Sequence, residues 1–279
     1  MKKFNLIMAA LILILAACSS ESSQIVINAE PSTVTMTFTP YDVEPMTTRV
    51  ATSIADFCTH LDVWITDGTT TTDIHQSSTS TDFGELSVTL NKTKTYTLYA
   101  VAHRCATDAT LADGIISFPD DKVTHSMFYS TTFSPSTTSS LSCLMDRIVA
   151  QFRFETTDSI PDEAKKVQFT INSVYDRWHV TAGGTHGIDR TSTVNISSKN
   201  NDGTAIFNIY AITTGAQTLH SVTVTALDEN DDPIRSRNFT NVPLRNGYRT
   251  TYRGTFFTDA PVSASFTVDD WSEYDTVNF

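Results

Sequence analysis

The segment TVTMTFT, residues 33–39, alternates polar and apolar side chains without a break. In an extended chain Val34, Met36 and Phe38 would share one face and the threonines the other, because successive side chains of a strand point to opposite faces. A period of two residues is typical of a half-buried β-strand. The segment therefore predicts an all-β protein whose sheets each bury one face.

The same alternation recurs along the rest of the chain. Polar segments rich in Thr, Ser, Asp and Gly separate the alternating runs, as in hairpin connections. Residues 66–82 are predicted as one such loop, and residues 53–59 and 123–129 as short helices. Further strands are predicted at residues 61–65, 85–90, 96–103, 148–154, 166–174, 204–212, 221–227, 233–239, 248–256 and 263–268.

The length of 279 residues suits two domains of ordinary size. A Ser/Thr/Pro-rich stretch at residues 133–142 (FSPSTTSSLS) predicts the linker between them. We therefore predict an N-terminal β-sandwich over residues 25–139 and a C-terminal β-sandwich over residues 140–279.

The N-terminus has the proportions of a secretory signal. Lys2 and Lys3 precede an apolar run over residues 6–15, which is too short to span a bilayer. The sequence LAAC, ending at Cys18, resembles a bacterial lipobox, which implies cleavage before Cys18 and acylation of that cysteine. Residues 1–17 are predicted as the signal peptide and residues 18–24 as a lipidated flexible tether. An ordinary secretory signal with an accidental cysteine is the alternative.

Charge and cysteine content narrow the function. The formal net charge is −12, or −14 after loss of Lys2 and Lys3 with the signal, so a nucleic-acid partner is not predicted. No cysteine pair has C-x-x-C spacing. Cys58 and Cys105 lie at the ends of two predicted neighbouring strands and are a candidate disulfide, which leaves Cys143 as a buried free thiol.

No catalytic motif is present. The sequence contains no H-E-x-x-H, no G-x-S-x-G and no phosphate-binding glycine loop. The acidic segment at residues 228–232 (DENDD) suits a Ca²⁺ loop or a hairpin turn, and its spacing favours the turn. Asp269 and Asp270 are adjacent, so on a strand they point to opposite faces. We predict no enzyme activity, no cofactor and no metal.

Three segments of the second half resemble a known family. Residues 141–152 (LSCLMDRIVAQF), 241–254 (NVPLRNGYRTTYRG) and 266–271 (FTVDDW) are similar to the FimB/Mfa2-type anchor and accessory lipoproteins of Bacteroidales fimbriae. The first half resembles the family mainly in its order of strands. The resemblance implies two tandem transthyretin-like, Greek-key β-sandwich domains. It also implies an outer-membrane, cell-surface location through the lipid on Cys18.

Such a subunit would bind other fimbrial subunits by β-strand addition. Residues 33–39 and 263–279 are the candidate exchange strands, with ordinary strands as the alternative. Arg49 is the first Lys or Arg after the signal and is a candidate processing site. Anchor, stalk and tip roles all stay open.

A second class of function also stays open. Surface glycan-binding lipoproteins of nutrient-uptake systems are likewise tethered β-sandwiches. In such a protein Trp64, Trp178 and Trp271 would stack on sugar rings.

Overall fold

The computed structural model describes residues 30–41, 53–197, 199–258 and 265–270. The chain is nearly all β, as the sequence predicts, with two single-turn 3-10 helices at Ile54–Asp56 and Pro119–Asp121. In the described part of the chain no helix is both long and apolar enough to cross a membrane. The strands are β1 (Pro31–Pro40), β2 (His60–Thr66), β3 (Thr71–Ser77), β4 (Glu85–Asn91), β5 (Tyr96–His103), β6 (Thr110–Ala112), β7 (Ile115–Ser117), β8 (Met127–Phe133), β9 (Ser140–Arg147), β10 (Ala150–Thr156), β11 (Lys166–His179), β12 (Gly183–Asn195), β13 (Ile206–Ala211), β14 (Thr218–Leu227), β15 (Pro233–Leu244), β16 (Tyr248–Gly254) and β17 (Ser265–Asp270).

The predicted strands are all present, with some ends shifted, and two other segments are corrected. The predicted loop at residues 66–82 contains β3, a polar edge strand in which Ile74 is the one buried residue. The predicted helix at residues 123–129 is absent, and β8 begins within it. Both errors have one cause, since short strands at a sheet edge or next to a loop bury too few side chains to show a clear period.

The N-terminal half forms a seven-stranded sheet in the order β3-β2-β5-β8-β9-β1-β4. β8 and β9 pair at only two positions. Side chains from the strands on either side of this short connection pack into one cluster, so the two parts of the sheet face each other as the layers of a sandwich. We call this cluster the N-terminal core; it includes Met36, Phe38, Leu61, Ile54 and Leu98.

Strand pairing corrects the predicted start of the second domain. β9 follows the Ser/Thr/Pro-rich stretch but pairs with β1 and β8. Its Cys143 and Met145 are fully buried in the N-terminal core. Residues 140–147 therefore belong with the first half. The Ser/Thr/Pro-rich stretch connects two strands of the N-terminal sandwich and is not a linker between the two sandwiches. Cys143 is a buried free thiol, as predicted.

The C-terminal half has two sheets. One runs β13-β10-β16-β17, and the other runs β15-β14-β11-β7-β6 with β12 also paired to β11. Phenylalanines and a tyrosine dominate the core between them, which we call the C-terminal core. Its aromatic members are Phe152, Phe154, Phe169, Phe207, Phe239, Tyr252 and Phe256.

A third cluster joins the two halves. β7 comes from the first half of the chain but pairs with the far end of β11. Beneath it lies an apolar cluster, here the bridging core, that includes Trp64, Val101, Ile116, Ile148 and Ile212. The halves are therefore held by both backbone hydrogen bonds and burial of apolar surface.

Candidate functional site

β1 is enclosed on both edges. It pairs antiparallel with β4 on one side and parallel with β9 on the other. Beyond the ladders, Phe38 N donates to Gly84 O at 2.8 Å and Tyr41 N donates to Met145 O at 2.8 Å. A strand bonded on both sides fills a slot in its sheet, and its removal would leave the facing edges of β4 and β9 unpaired.

The two faces of β1 differ in chemistry. Val34 and Met36 are fully buried and Phe38 is 2% exposed, all in the N-terminal core. On the outer face Thr33 and Thr35 meet the hydroxyls of Thr89 and Ser87 at 3.3 and 3.5 Å. The alternation predicted from the sequence is confirmed, and the slot has three apolar pockets on one side only.

The C-terminal candidate strand is arranged differently. β17 is the outermost strand of its sheet and pairs only with β16 within the described residues. Phe266 packs against Phe239 and Tyr252, with ring centroids 6.3 and 6.0 Å apart, while Val268 is exposed. The outer edge of β17 therefore presents backbone groups that have no strand partner in the described chain.

Several predicted residues fall outside the described part of the structure. Cys18, Arg49 and Trp271 lie there, so lipidation and processing stay predictions. Trp64 is 2% exposed in the bridging core, and Trp178 packs against Phe128 at 5.8 Å between centroids. Trp64 therefore presents no open ring face for a sugar, and Trp178 is half-buried against the bridging core.

The two candidate disulfide cysteines are adjacent but free. β2 and β5 pair with His60 opposite His103, so Cys58 and Cys105 lie just beyond neighbouring strand ends. Cys58 Sγ instead lies 3.9 Å from His125 Nδ1, and Cys105 Sγ lies 3.3 Å from Lys122 O. Burial raises the pKa of the Cys58 thiol to about 12. Because the thiolate is the reactive form, a thiol with a raised pKa oxidises slowly. A disulfide between Cys58 and Cys105 stays a prediction.

The acidic turn at residues 228–232 is a hairpin connection, as favoured above. Asp228 Oδ1 accepts from the backbone N–H groups of Asn230 and Asp232 at 2.8 and 2.9 Å. Asp231 pairs with Lys166 at 2.6 Å. The turn joins β14 to β15, and its carboxylates serve the turn itself.

A buried polar network lies in the N-terminal half. The Asp62 carboxylate is fully buried and is 2.7 Å from both His75 Nδ1 and His103 Nε2, and it also accepts from Ala109 N at 2.8 Å. Burial alone would raise the pKa of Asp62, but these hydrogen bonds outweigh burial and hold it below its ordinary value. Ligand atoms of Asp62, His75 and Asp108 lie within 4.8 Å of one another, a spacing that a metal ion can bridge.

His125 is a second buried polar group, at the junction of the two halves. Its ring stacks on Phe57 at 5.4 Å and meets Tyr210 edge-on at 6.1 Å. Its Nε2 accepts from Arg147 Nε at 3.3 Å, which requires that nitrogen to be unprotonated. The pKa of His125 is lowered to about 3. Burial is the largest cause, and the positive charges of Arg147 and Arg104 are smaller ones.

This arrangement predicts acid sensitivity. The unfolded chain protonates His125 near its ordinary pKa of 6.5 whereas the folded chain does not, so the contribution of His125 to stability is full above pH 6.5 and falls with decreasing pH. Between pH 6.5 and 5 we expect a loss of about 2 kcal/mol in the free energy of unfolding. Urea unfolding at the two pH values measures it, and the His125→Gln variant should show a smaller change. Equal changes in both proteins would contradict this account.

These buried polar residues were not predicted from the sequence. A signal for Asp62 was present, because it interrupts the apolar run LDVWI of β2, where a charge is buried only when paired. Its partners His75 and His103 lie on the two strands that flank β2. That pairing cannot be read from the sequence alone.

The comparisons with known proteins agree with this fold. Residues 118–276, more than half of the chain, match the model of a family of unknown function, DUF6562. The chain belongs to this family. No curated protein matches the sequence of this DUF6562 member.

Solved structures resemble the DUF6562 chain over most of its length. A candidate adhesin from Bacteroides thetaiotaomicron has a TM-score of 0.52 at 11% identity, covering 88% of this chain and 98% of its own. A candidate adhesin from Bacteroides ovatus has a TM-score of 0.51 at 13% identity, covering 89% and 97%. A candidate polysaccharide-binding protein from Bacteroides thetaiotaomicron has a TM-score of 0.52 at 11% identity, covering 86% and 96%. At these identities the similarity establishes a shared fold.

Proposed function

We propose that this chain is a structural, non-enzymatic subunit of a cell-surface fimbria. It is held in the outer membrane by lipid on Cys18 and binds neighbouring subunits by β-strand addition. The observation that carries the proposal is the enclosure of β1, a strand with three buried apolar side chains, between β4 and β9. A slot of this kind accepts any extended segment that has the same alternation.

The physics of such binding is general. Backbone ladders supply affinity with little regard to sequence, and pockets for alternate side chains supply specificity. In this chain the pockets are those of Val34, Met36 and Phe38. Cleavage after Arg49 would separate β1 from the rest of the chain and open the slot, as a stalk subunit requires. A chain left uncut would keep the slot filled and act as an anchor through Cys18.

Two further points support the fimbrial reading. Two of the structures with the same fold carry the description of candidate adhesins and come from Bacteroides. The resemblance of residues 241–254 to fimbrial anchor lipoproteins points the same way. The transthyretin-like strand connection and the FimB/Mfa2 type are part of this proposal.

Glycan binding is the weaker alternative. The prediction of glycan binding depends on exposed tryptophans. Trp64 lies in the bridging core, and Trp178 packs against it. Stacking on sugars requires an open ring face.

The test is a denaturing gel of the outer-membrane fraction, run without boiling and probed for this protein. We expect a ladder, because strand-exchanged subunits resist mild denaturation, and we expect it to collapse to monomer on boiling. The Cys18→Ser variant should leave the membrane fraction, whereas a Ser19→Ala control should stay. A single monomer band in unboiled samples, or unchanged fractionation of the Cys18→Ser variant, would refute the proposal.

A further inference from the structure

An open cavity of about 710 Å³ lies between the two halves of the molecule. The first half contributes Arg104 and the segment Lys122–His125 to its wall. The second half contributes residues 190–194 of β12 and residues 208–210 of β13, among them Arg190, Ser192 and Asn208. A concave site of this size, with mixed apolar and polar walls, is typical of small-molecule binding sites.

The charge of the wall is opposite to that of the chain. The net charge of the chain is −12. Among the described residues that line the cavity there is no Asp or Glu, but there are three cations, Arg104, Lys122 and Arg190. Arg104 donates to Asp56 O at 3.1 Å, and Lys122 lies 3.6 Å from the exposed carboxylate of Asp120. Cations gathered in a cleft raise the local concentration of anions.

Arg190 is the most informative of these cations. It is 7% exposed, and in the described chain no carboxylate lies within ion-pair distance of it. Its Nη1 donates to Asp121 O at 2.7 Å and its Nη2 to Val123 O at 3.5 Å, while its buried Nε has no hydrogen-bond partner. A buried guanidinium that is hydrogen-bonded to two carbonyl groups has no paired carboxylate to offset its desolvation, because Asp176 and Asp121 act on it only from beyond ion-pair distance.

Asn208 adds the need for a hydrogen-bond donor on the ligand. Its Oδ1 is buried and has no hydrogen-bond partner among the described residues, and Asn208 lines the same cavity. Sulfate offers only acceptors and cannot satisfy this oxygen. A ligand that meets both needs carries a carboxylate for the cations and hydroxyl groups for Asn208.

From these residues we infer that the cavity binds an acidic sugar residue of the uronic-acid class. The carboxylate faces Arg190 and Lys122, a ring hydroxyl donates to Asn208 Oδ1, and the apolar edge of the sugar rests on Val194 and Ile209. This inference does not depend on the proposed fimbrial role, because none of the described residues that line the cavity belongs to β1, β4 or β9.

The test uses the purified full chain and three probes, D-glucuronate, D-glucose and sulfate, with affinities measured by calorimetry and ligand-observed NMR. D-Glucuronate should bind, and more weakly as salt rises. D-Glucose lacks the charge and sulfate lacks the hydroxyl donors, so each should bind at least about tenfold more weakly, the effect of losing one charge-assisted hydrogen bond.

Variants locate the site. Lys122→Gln removes an exposed side chain and leaves the fold intact, and it should weaken D-glucuronate binding about tenfold. Arg190→Gln should abolish binding, with folding checked by thermal unfolding. Lys92→Gln, which removes a surface cation on the β4–β5 turn, is the matched control and should have no effect. D-Glucuronate binding equal to that of D-glucose or of sulfate, or equal in Lys122→Gln and Lys92→Gln, would overturn the inference.

Discussion

A chain that lacks β1 is expected to lose most of the stability of its N-terminal half and to regain it when a synthetic peptide of residues 31–41 is added. Burial of Val34, Met36 and Phe38 contributes roughly 5–9 kcal/mol at about 1.5–3 kcal/mol for each side chain. Typical proteins unfold at a cost of about 5–15 kcal/mol, so this loss is decisive. Thermal unfolding and the anisotropy of a labelled peptide measure the rescue.

Two peptides of equal length and charge supply the control. A peptide with Met36→Asp places a carboxylate in the N-terminal core and should not bind. A peptide with Thr35→Asp places the same charge on the exposed face and should bind nearly as well as the parent. Equal rescue by both peptides, or a shortened chain as stable as the full one, would show that β1 does not occupy a specific slot.

The second large effect concerns the C-terminal core. Phe154 is fully buried and stacks on Tyr252 at 4.9 Å, with Phe256 edge-on at 5.4 Å and Phe169 at 5.7 Å. Phe154→Ala removes the ring that contacts all three, so we expect the free energy of unfolding to fall by about 3–5 kcal/mol. Urea unfolding at neutral pH measures the change.

Leu219 serves as the matched control. It lies on β14 of the same half but is 63% exposed. Leu219→Ala should therefore change stability by less than about 0.5 kcal/mol. A loss of under about 2 kcal/mol for Phe154→Ala would mean that the core closes around the missing ring.

Strands with a full alternating face could be predicted from the sequence, and β1 and β5 show why. β5 was placed at its observed bounds because Tyr96, Leu98 and their neighbours bury every second residue or more. β3 has one buried side chain, so no period exists to detect. β9 was assigned to the wrong half because pairing across the sheet, and not composition, decides which core a strand joins.

The sites were much less accessible to sequence reasoning. Arg104, Lys122, Arg190 and Asn208 come from segments far apart in the chain, and only the packing of the two halves brings them to one cavity. The pairing of Asp62 with His75 and His103 likewise depends on strand order. The enclosure of β1 was not predicted either, since its pattern fits an edge strand equally well.

The enclosure of β1 also bears on mechanics. β1 begins one residue after Glu30, on the side of the chain that leads to the predicted tether. Its ladder hydrogen bonds run across the strand, so tension applied along the strand axis from that end loads the bonds to β4 and β9 together. Rupture under shear requires many bonds to fail at once, whereas peeling from the side breaks them one at a time. A strand held in this way resists lengthwise tension more strongly than removal from one side.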